Sequence, residues 1–207
     1  MEEDMKINIK GFWENETDEG HGHDKGLADA LILFFNNETA SVLDMGCGDG
    51  YYVRRFRFNG INARGVDGNP NTPKLTSGLC EVADLTKELN LEKSDWVLSL
   101  EVGEHIPAEY QKEFIGNLDR HNRFGIVLSW AVRGQGGDGH INCLNNDEVI
   151  SFMTDMGYIY EQGLSNWIRN RCATYPDTGW WFRNTLMVFR RKEIPERCSL
   201  GYVFSEG

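Results

Sequence analysis

Apolar and polar positions along this chain recur at two different periods, and each change of period marks an element. Over residues 24–35, apolar side chains at Leu27, Ala28, Leu31, Ile32, Phe34 and Phe35 recur at helical spacing behind a capping acid, so a helix is expected first. The short apolar run Val42-Leu43 then breaks into a glycine-rich turn, Gly46 to Gly50, and helix-forming sequence resumes at Tyr51. Further strand-like runs fall at residues 61–67, 79–82, 95–100 and 124–130, with a helix expected over about 108–120 between the last two. A helix over about 146–156 stops at Gly157, and apolar runs at 158–160 and 185–189 supply two more strands. Strand and helix alternate, which predicts an α/β domain with a mostly parallel sheet and helices on both faces. No internal repeat or low-complexity tract interrupts it. The tract before Asp24 and the tail after Lys192 are expected to be loosely ordered, giving an N-terminal segment 1–23, a domain 24–192 and a tail 193–207.

Composition narrows the class. With 207 residues, 40% of them hydrophobic, the chain can build one core of this type and little more. A net charge of −11 argues against broad binding to nucleic-acid backbones, since that needs a surface that neutralises phosphates. Its basic clusters, Arg54-Arg55-Phe56-Arg57 and residues 183–192, are short, and the first reads as the solvated face of a helix. The acidic start Met1-Glu2-Glu3-Asp4 does not resemble a signal peptide, and the longest apolar run, residues 30–35, is too short to span a membrane. A cytoplasmic monomer or homodimer is expected. Cysteines 47, 80, 143, 172 and 198 contain no C-x-x-C pair, so they are read as reduced thiols rather than a disulfide framework or zinc site.

The most specific chemistry lies in Ser41-Val-Leu-Asp-Met-Gly-Cys-Gly-Asp-Gly-Tyr51, where Gly46, Gly48 and Gly50 let a ligand lie directly against the backbone. About twenty residues later a second strand-like run ends in Asp67, the spacing at which a βαβ unit offers a carboxylate to ribose hydroxyls. A dinucleotide fingerprint, G-x-G-x-x-G, would need its third glycine at Tyr51. Asp44, just before the turn, suits an ammonium or sulfonium better than a pyrophosphate. A nicotinamide oxidoreductase is therefore the least favoured reading.

These motifs resemble the class I S-adenosylmethionine-dependent methyltransferases, and their order and spacing cover roughly residues 27–191. The resemblance implies a Rossmann-like sheet of about seven strands with an antiparallel C-terminal strand. It also implies a cofactor site at Asp44, Gly46, Cys47, Gly48, Gly50 and Tyr51. Asp67-Gly68-Asn69 would hold the ribose, Asp84-Leu85 would flank the adenine and Glu101 would line the pocket. Plainer readings stand beside these: a tight turn without ligand, a helix N-cap at Asp67, a helix start at Asp84, and Cys47 as a small packed side chain.

Ligands of open α/β sheets bind at the carboxyl ends of the strands. Two segments fall there, Ser99 to Pro107 with Glu101, Glu104 and His105, and the glycine-rich loop 133–142 with His140. The E-x-x-E-H stretch is similar to ubiquinone-pathway O-methyltransferases and to enzymes that 2′-O-methylate the 3′ ends of small RNAs. The second likeness implies that Glu101, Glu104, His105 and His140 ligate a divalent ion, Mg, Mn or Zn. Without a metal, Glu101, His105 and His140 remain catalytic candidates, the imidazoles as base or orienting groups; capping and packing are the plainer alternative. Gly20-His21-Gly22-His23 is a candidate lid, and Trp13, Trp167, Trp180 and Trp181 are either core or pocket wall. The expected function is methyl transfer from S-adenosylmethionine to an oxygen of a small molecule, without nucleic acid or membrane. The alternatives are the terminal ribose of RNA, or a cofactor-binding regulatory protein without turnover.

Overall fold

A computed structural model describes residues 6–17, 20–38 and 40–193. Strands β1 (Ser41–Met45), β2 (Asn62–Asp67), β3 (Glu81–Val82), β4 (Ser94–Ser99), β5 (Asn122–Leu128), β6 (Tyr158–Tyr160) and β7 (Met187–Arg191) form one sheet in the order β3-β2-β1-β4-β5-β7-β6. The first five are parallel, and β7 runs antiparallel to both β5 and β6. The order reverses between β1 and β4, and the crevice above their carboxyl ends is where such folds bind ligands.

Period-two alternation in the central strands divides the core between the faces of the sheet. Val42, Ala63, Trp96, Leu98, Val127 and Val188 pack against helices α1 (Lys25–Glu38), α2 (Tyr51–Phe58) and α6 (Gln162–Arg169). Leu43, Val66, Val97, Ile126, Leu128, Met187 and Phe189 pack against α4 (Gln111–Arg120) and α5 (Asn146–Asp155). Short helices α3 (Thr72–Leu75) and α7 (Phe182–Thr185) complete the set, with a 3-10 turn at Ala108–Tyr110 leading into α4. Helix α1 is capped as its sequence implies, Leu27 N–H donating to Asp24 Oδ1 at 2.9 Å.

Four hydrogen bonds hold the strand ends that form the site. Ser99 Oγ donates to Met45 O at 2.7 Å, joining the ends of β1 and β4. The buried Asn117 amide donates to Leu85 O and Lys87 O at 3.1 and 2.7 Å, and its oxygen accepts from Leu89 N at 2.9 Å, clamping the segment after β3 to α4. The sequence-based expectations need three corrections. The fifth strand starts and ends two residues earlier than 124–130, and α6 and α7 lie in a region read only as a connection. Residues 6–17 and 20–23 are not a loose tract but pack over the sheet's carboxyl edge. Apart from Glu193, the proposed tail lies outside the described residues. No described helix is long and apolar enough to cross a membrane.

Candidate functional site

A cavity of about 810 Å³ opens over the switch point, bounded by the turn after β1, the ends of β2 and β4, the loop after β5 and the N-terminal segment. At one end the backbone itself forms the wall. Gly46, Gly48 and Gly50 all have positive φ, and a Cβ on Gly48 would stand 2.4 Å from the His21 ring, so a side chain there is strained and must displace that ring. The Asp67 carboxylate accepts from Gly48 N at 2.8 Å and Asn69 N at 2.9 Å, which fixes it at the rim. Asp44 is almost wholly buried yet borders the cavity, and burial pushes its carboxyl well above the usual carboxylate range. A cation placed against it would offset that cost.

The opposite end is built from carboxylates and imidazoles. Glu101 adopts a left-handed conformation, φ 52°, uncommon for a non-glycine residue. Its carboxylate accepts from Gln135 Nε2 at 2.7 Å and from Thr185 Oγ1 at 3.1 Å, while burial outweighs these bonds and raises its pKa. Glu104 is fully buried, and neither of its oxygens has a hydrogen-bond partner. Burial, reinforced by the charge of Glu101, holds its carboxyl well above the usual range. His140 Nε2 lies 3.9 Å from Glu104 Oε1, and the His105 and His140 rings meet edge to face with centroids 5.0 Å apart. Burial and the neighbouring His140 push His105 down to about 4, so it is neutral near pH 7. Its Nδ1 is buried and lacks a hydrogen-bond partner. One ligand atom each from Glu104, His105 and His140 fall within 4.8 Å of one another, a spacing at which they can share an ion. Gly137 leaves room for His140: its Cβ would stand 2.3 Å from that ring.

Residues 6–17 and 20–23 roof both ends. Lys10 Nζ reaches Asp84 Oδ2 at 2.5 Å, Phe12 packs on Gly68, and Trp13 meets the rings of His21 and His105 at 4.9 and 5.8 Å. Asn69 Nδ2 and Asn71 Nδ2 donate to Asn15 O and Glu14 O at 3.0 and 3.1 Å. His23 Nε2 donates to Asp49 Oδ1 at 3.0 Å; burial alone would raise Asp49, but His23 and its other partners hold it at about 2.

Of the residues expected from sequence, Asp44, Gly46, Cys47, Gly48, Asp67, Gly68, Asn69, Leu85, Glu101, His105 and His140 border the cavity. Gly50, Tyr51 and Asp84 do not. Gly50 serves the turn into α2, and Tyr51 is half-buried against the core and stacks on His23 at 4.3 Å, whereas Tyr52 borders the cavity. Asp84 is held by Lys10 and by Thr86 Oγ1, and Thr86 takes its place in the wall. Glu104 lies behind the surface, at the floor. Glu101 is not one of the three converging residues; its oxygens accept from Gln135 and Thr185. Trp13, Trp180 and Trp181 are walls, and Trp167 packs with α6 against the core. Lys10, Phe12, Gln135 and Thr185 were not singled out from sequence; nothing local to them signals the role.

The sequence matches the family model of a methyltransferase domain over residues 20–135. No curated protein sequence matches the chain. Solved structures of similar fold include magnesium protoporphyrin IX methyltransferase from Synechocystis with bound S-adenosylmethionine, at 17% identity, covering 79% of this chain and 77% of that one with a TM-score of 0.57. A small RNA methyltransferase is similar at 16% identity and TM-score 0.59, covering 80% of this chain and 25% of its own. So is an N-methyltransferase from Bradyrhizobium japonicum in complex with S-adenosylhomocysteine, at 16% identity and TM-score 0.54, covering 81% and 86%. At these identities the likeness is one of fold.

Proposed function

From the premise that this chain belongs to the family of methyltransferase domains and is an S-adenosylmethionine-dependent enzyme, we propose that it methylates an oxygen of a small molecule. The observation that carries this reading is the convergence of Glu104, His105 and His140 at the end of a roofed cavity, with both Glu104 oxygens and Nδ1 of His105 buried and unpartnered. Asp44 faces the positive charge of the cofactor, the Gly46 to Gly48 backbone underlies its amino-acid moiety, Asp67 and Asn69 hold the ribose, and Leu85 with Thr86 flanks the base. The acceptor hydroxyl then lies toward His105 and His140, and where no ion occupies the cluster one of these imidazoles takes its proton as the oxygen attacks the methyl carbon and the sulfur leaves. Much of the rate comes from alignment, since the sulfonium is already an activated donor.

The orphaned oxygens of Glu104 and the free Nδ1 of His105 fit a divalent cation, Mg, Mn or Zn, with His140 as third ligand. Such an ion, when bound, lowers the pKa of a hydroxyl and fixes its position. Glu101 then acts from the second rank, holding Gln135 and Thr185. Residues 6–17 and 20–23 serve as the lid that excludes water.

A second reading, the terminal ribose of RNA, is favoured by the likeness to a small RNA methyltransferase, while the charge of −11 weighs against it. Labelled methyl donor supplied with a panel of hydroxylated small molecules and with 3′-hydroxyl RNA separates the two. We expect label on small molecules, suppressed by chelator and restored by Mn²⁺. Label on RNA alone would overturn the small-molecule assignment.

A further inference from the structure

Beneath the cofactor turn lies a feature that methyl transfer does not use. Gly65 of β2 pairs with Asp44 of β1, and the next residue, Val66, pairs with Glu81 of β3. That register brings Cys80 alongside Gly65, and Cys47, three residues beyond Asp44, folds back over the same spot. A Cβ on Gly65 would stand 2.7 Å from Cys80 Sγ and 2.9 Å from both Cβ and Sγ of Cys47. Both sulfurs therefore fill the space left by one missing methyl group, and they border one another. We propose that Cys47 and Cys80 are a modification site, closing to a reversible disulfide that disables the cofactor turn. The functional half of this inference rests on the cofactor reading given above.

The environment supports such chemistry. The interaction with Cys80, together with burial, raises the Cys47 thiol. The interaction with Cys47 lowers the Cys80 thiol against the effect of burial, with help from Thr76, Arg57 and Arg54. Cys80 is the readier thiolate. Cys47 borders the cavity, so a small hydroperoxide reaches the pair from that side. One sulfur takes an oxygen from the peroxide to give a sulfenic acid and a water; the other displaces the hydroxyl as a second water. Two thiols and one hydrogen peroxide give one disulfide and two waters.

Closing the bond draws the sulfurs from contact to ~2.05 Å. Cys47 cannot follow without moving the turn, because its N–H donates to Val66 O at 3.1 Å and its carbonyl accepts from Gly50 N at 2.8 Å. The adjoining Gly48 N–H is the donor that fixes Asp67. A bound cofactor lies over the same turn and shields it.

The full-length protein, reduced and then treated with hydrogen peroxide, tests this by intact mass, peptide mapping and calorimetry with S-adenosylhomocysteine. The expected result is loss of two hydrogens, a cross-linked peptide joining Cys47 and Cys80, and an affinity lowered by roughly tenfold as turn hydrogen bonds are lost. Dithiothreitol should restore it, and prior S-adenosylhomocysteine should slow the cross-link. Cys80→Ser, or Cys80→Ala if the first folds poorly, should bind when reduced and lose the peroxide response. Peroxide that oxidises the pair without a cross-link, or a cross-link that leaves affinity unchanged, overturns the inference. Reduced protein that fails to bind at all would instead count against the cofactor reading.

Discussion

At the glycine-turn end of the cavity the rim carboxylate already has its partners: Gly48 and Asn69 donate to Asp67 before any ligand arrives. At the acceptor end, both oxygens of Glu104 and Nδ1 of His105 are buried without one. The first arrangement is preorganised by backbone and requires little change on binding. The second carries a desolvation cost that a proton, a cation or a substrate group must offset. On the proposed function the difference divides the labour, with affinity for the donor assigned to the turn and reactivity toward the acceptor to the cluster.

The sharpest way to break this division is to remove both imidazoles. His105→Ala, His140→Ala should lower the maximal rate by roughly a hundredfold or more, the scale of general-base loss. Affinity for S-adenosylhomocysteine, read by calorimetry, should stay close to that of the parent. A parallel loss of affinity would show that the two ends are not separable. Chelation should suppress the parent and leave the residual rate of the double variant unaltered.

Next in size is the converse change. Asp67→Ala removes the acceptor for two backbone N–H groups and the proposed ribose contact, and should weaken cofactor binding by on the order of 1.5–3 kcal/mol. Acceptor KM should not move at saturating donor. A calorimetric loss of only a few tenths of a kcal/mol would reduce Asp67 to a turn-stabilising cap.

The two ends also differed in how far the sequence disclosed them. Alternation in Val42-Leu43, Trp96-Val97-Leu98 and Ile126-Val127-Leu128 sorts side chains to opposite faces, so the sheet is readable from local pattern. The turn is local too, and Asp67 follows at a fixed spacing. Glu104 and His105 are neighbours in sequence, so their proximity needs no fold. What holds Glu101 is remote: Gln135 and Thr185 come from the loop after β5 and from α7, and no spacing near Glu101 announces either. The N-terminal roof was obscured for the same reason, since Lys10 meets Asp84 across 74 residues. Glycines and short polar runs look like disorder until the surface they cover is known.

A smaller effect probes the cost of the buried carboxyls in the ligand-free protein. Asp44 and Glu104 are raised above the ordinary values of about 4, so each retains in the fold a proton that the unfolded chain gives up. Their contribution to stability is present at low pH and is lost as pH rises. His105 opposes them only between its folded value of about 4 and the ordinary value of about 6.5, where stability rises with pH. Above that window, and below the range in which the thiols ionise, the carboxyl effect dominates. Urea melts from about pH 6.5 upward should show stability falling by at most ~1.4 kcal/mol per pH unit for each group still titrating. Asp44→Asn and Glu104→Gln should each flatten the slope, and slopes unchanged in both would show that these carboxyls ionise freely.

The smallest effect decides what the roof does to Asp84, which belongs to neither end. Its carboxylate is held by Lys10 and Thr86, and these partners outweigh burial and keep it below the usual range. A partly exposed ion pair contributes little by itself. If the pair only pins the lid, Lys10→Ala and Asp84→Ala should weaken cofactor binding equally, by no more than a few-fold, and the double variant should be no worse than either single one. If Asp84 also contacts the cofactor's base, Asp84→Ala should cost clearly more than Lys10→Ala, because it removes a ligand contact as well as the latch. A calorimetric cycle over the four proteins reads the difference directly, and equal single effects with no added loss would assign Asp84 to the lid alone.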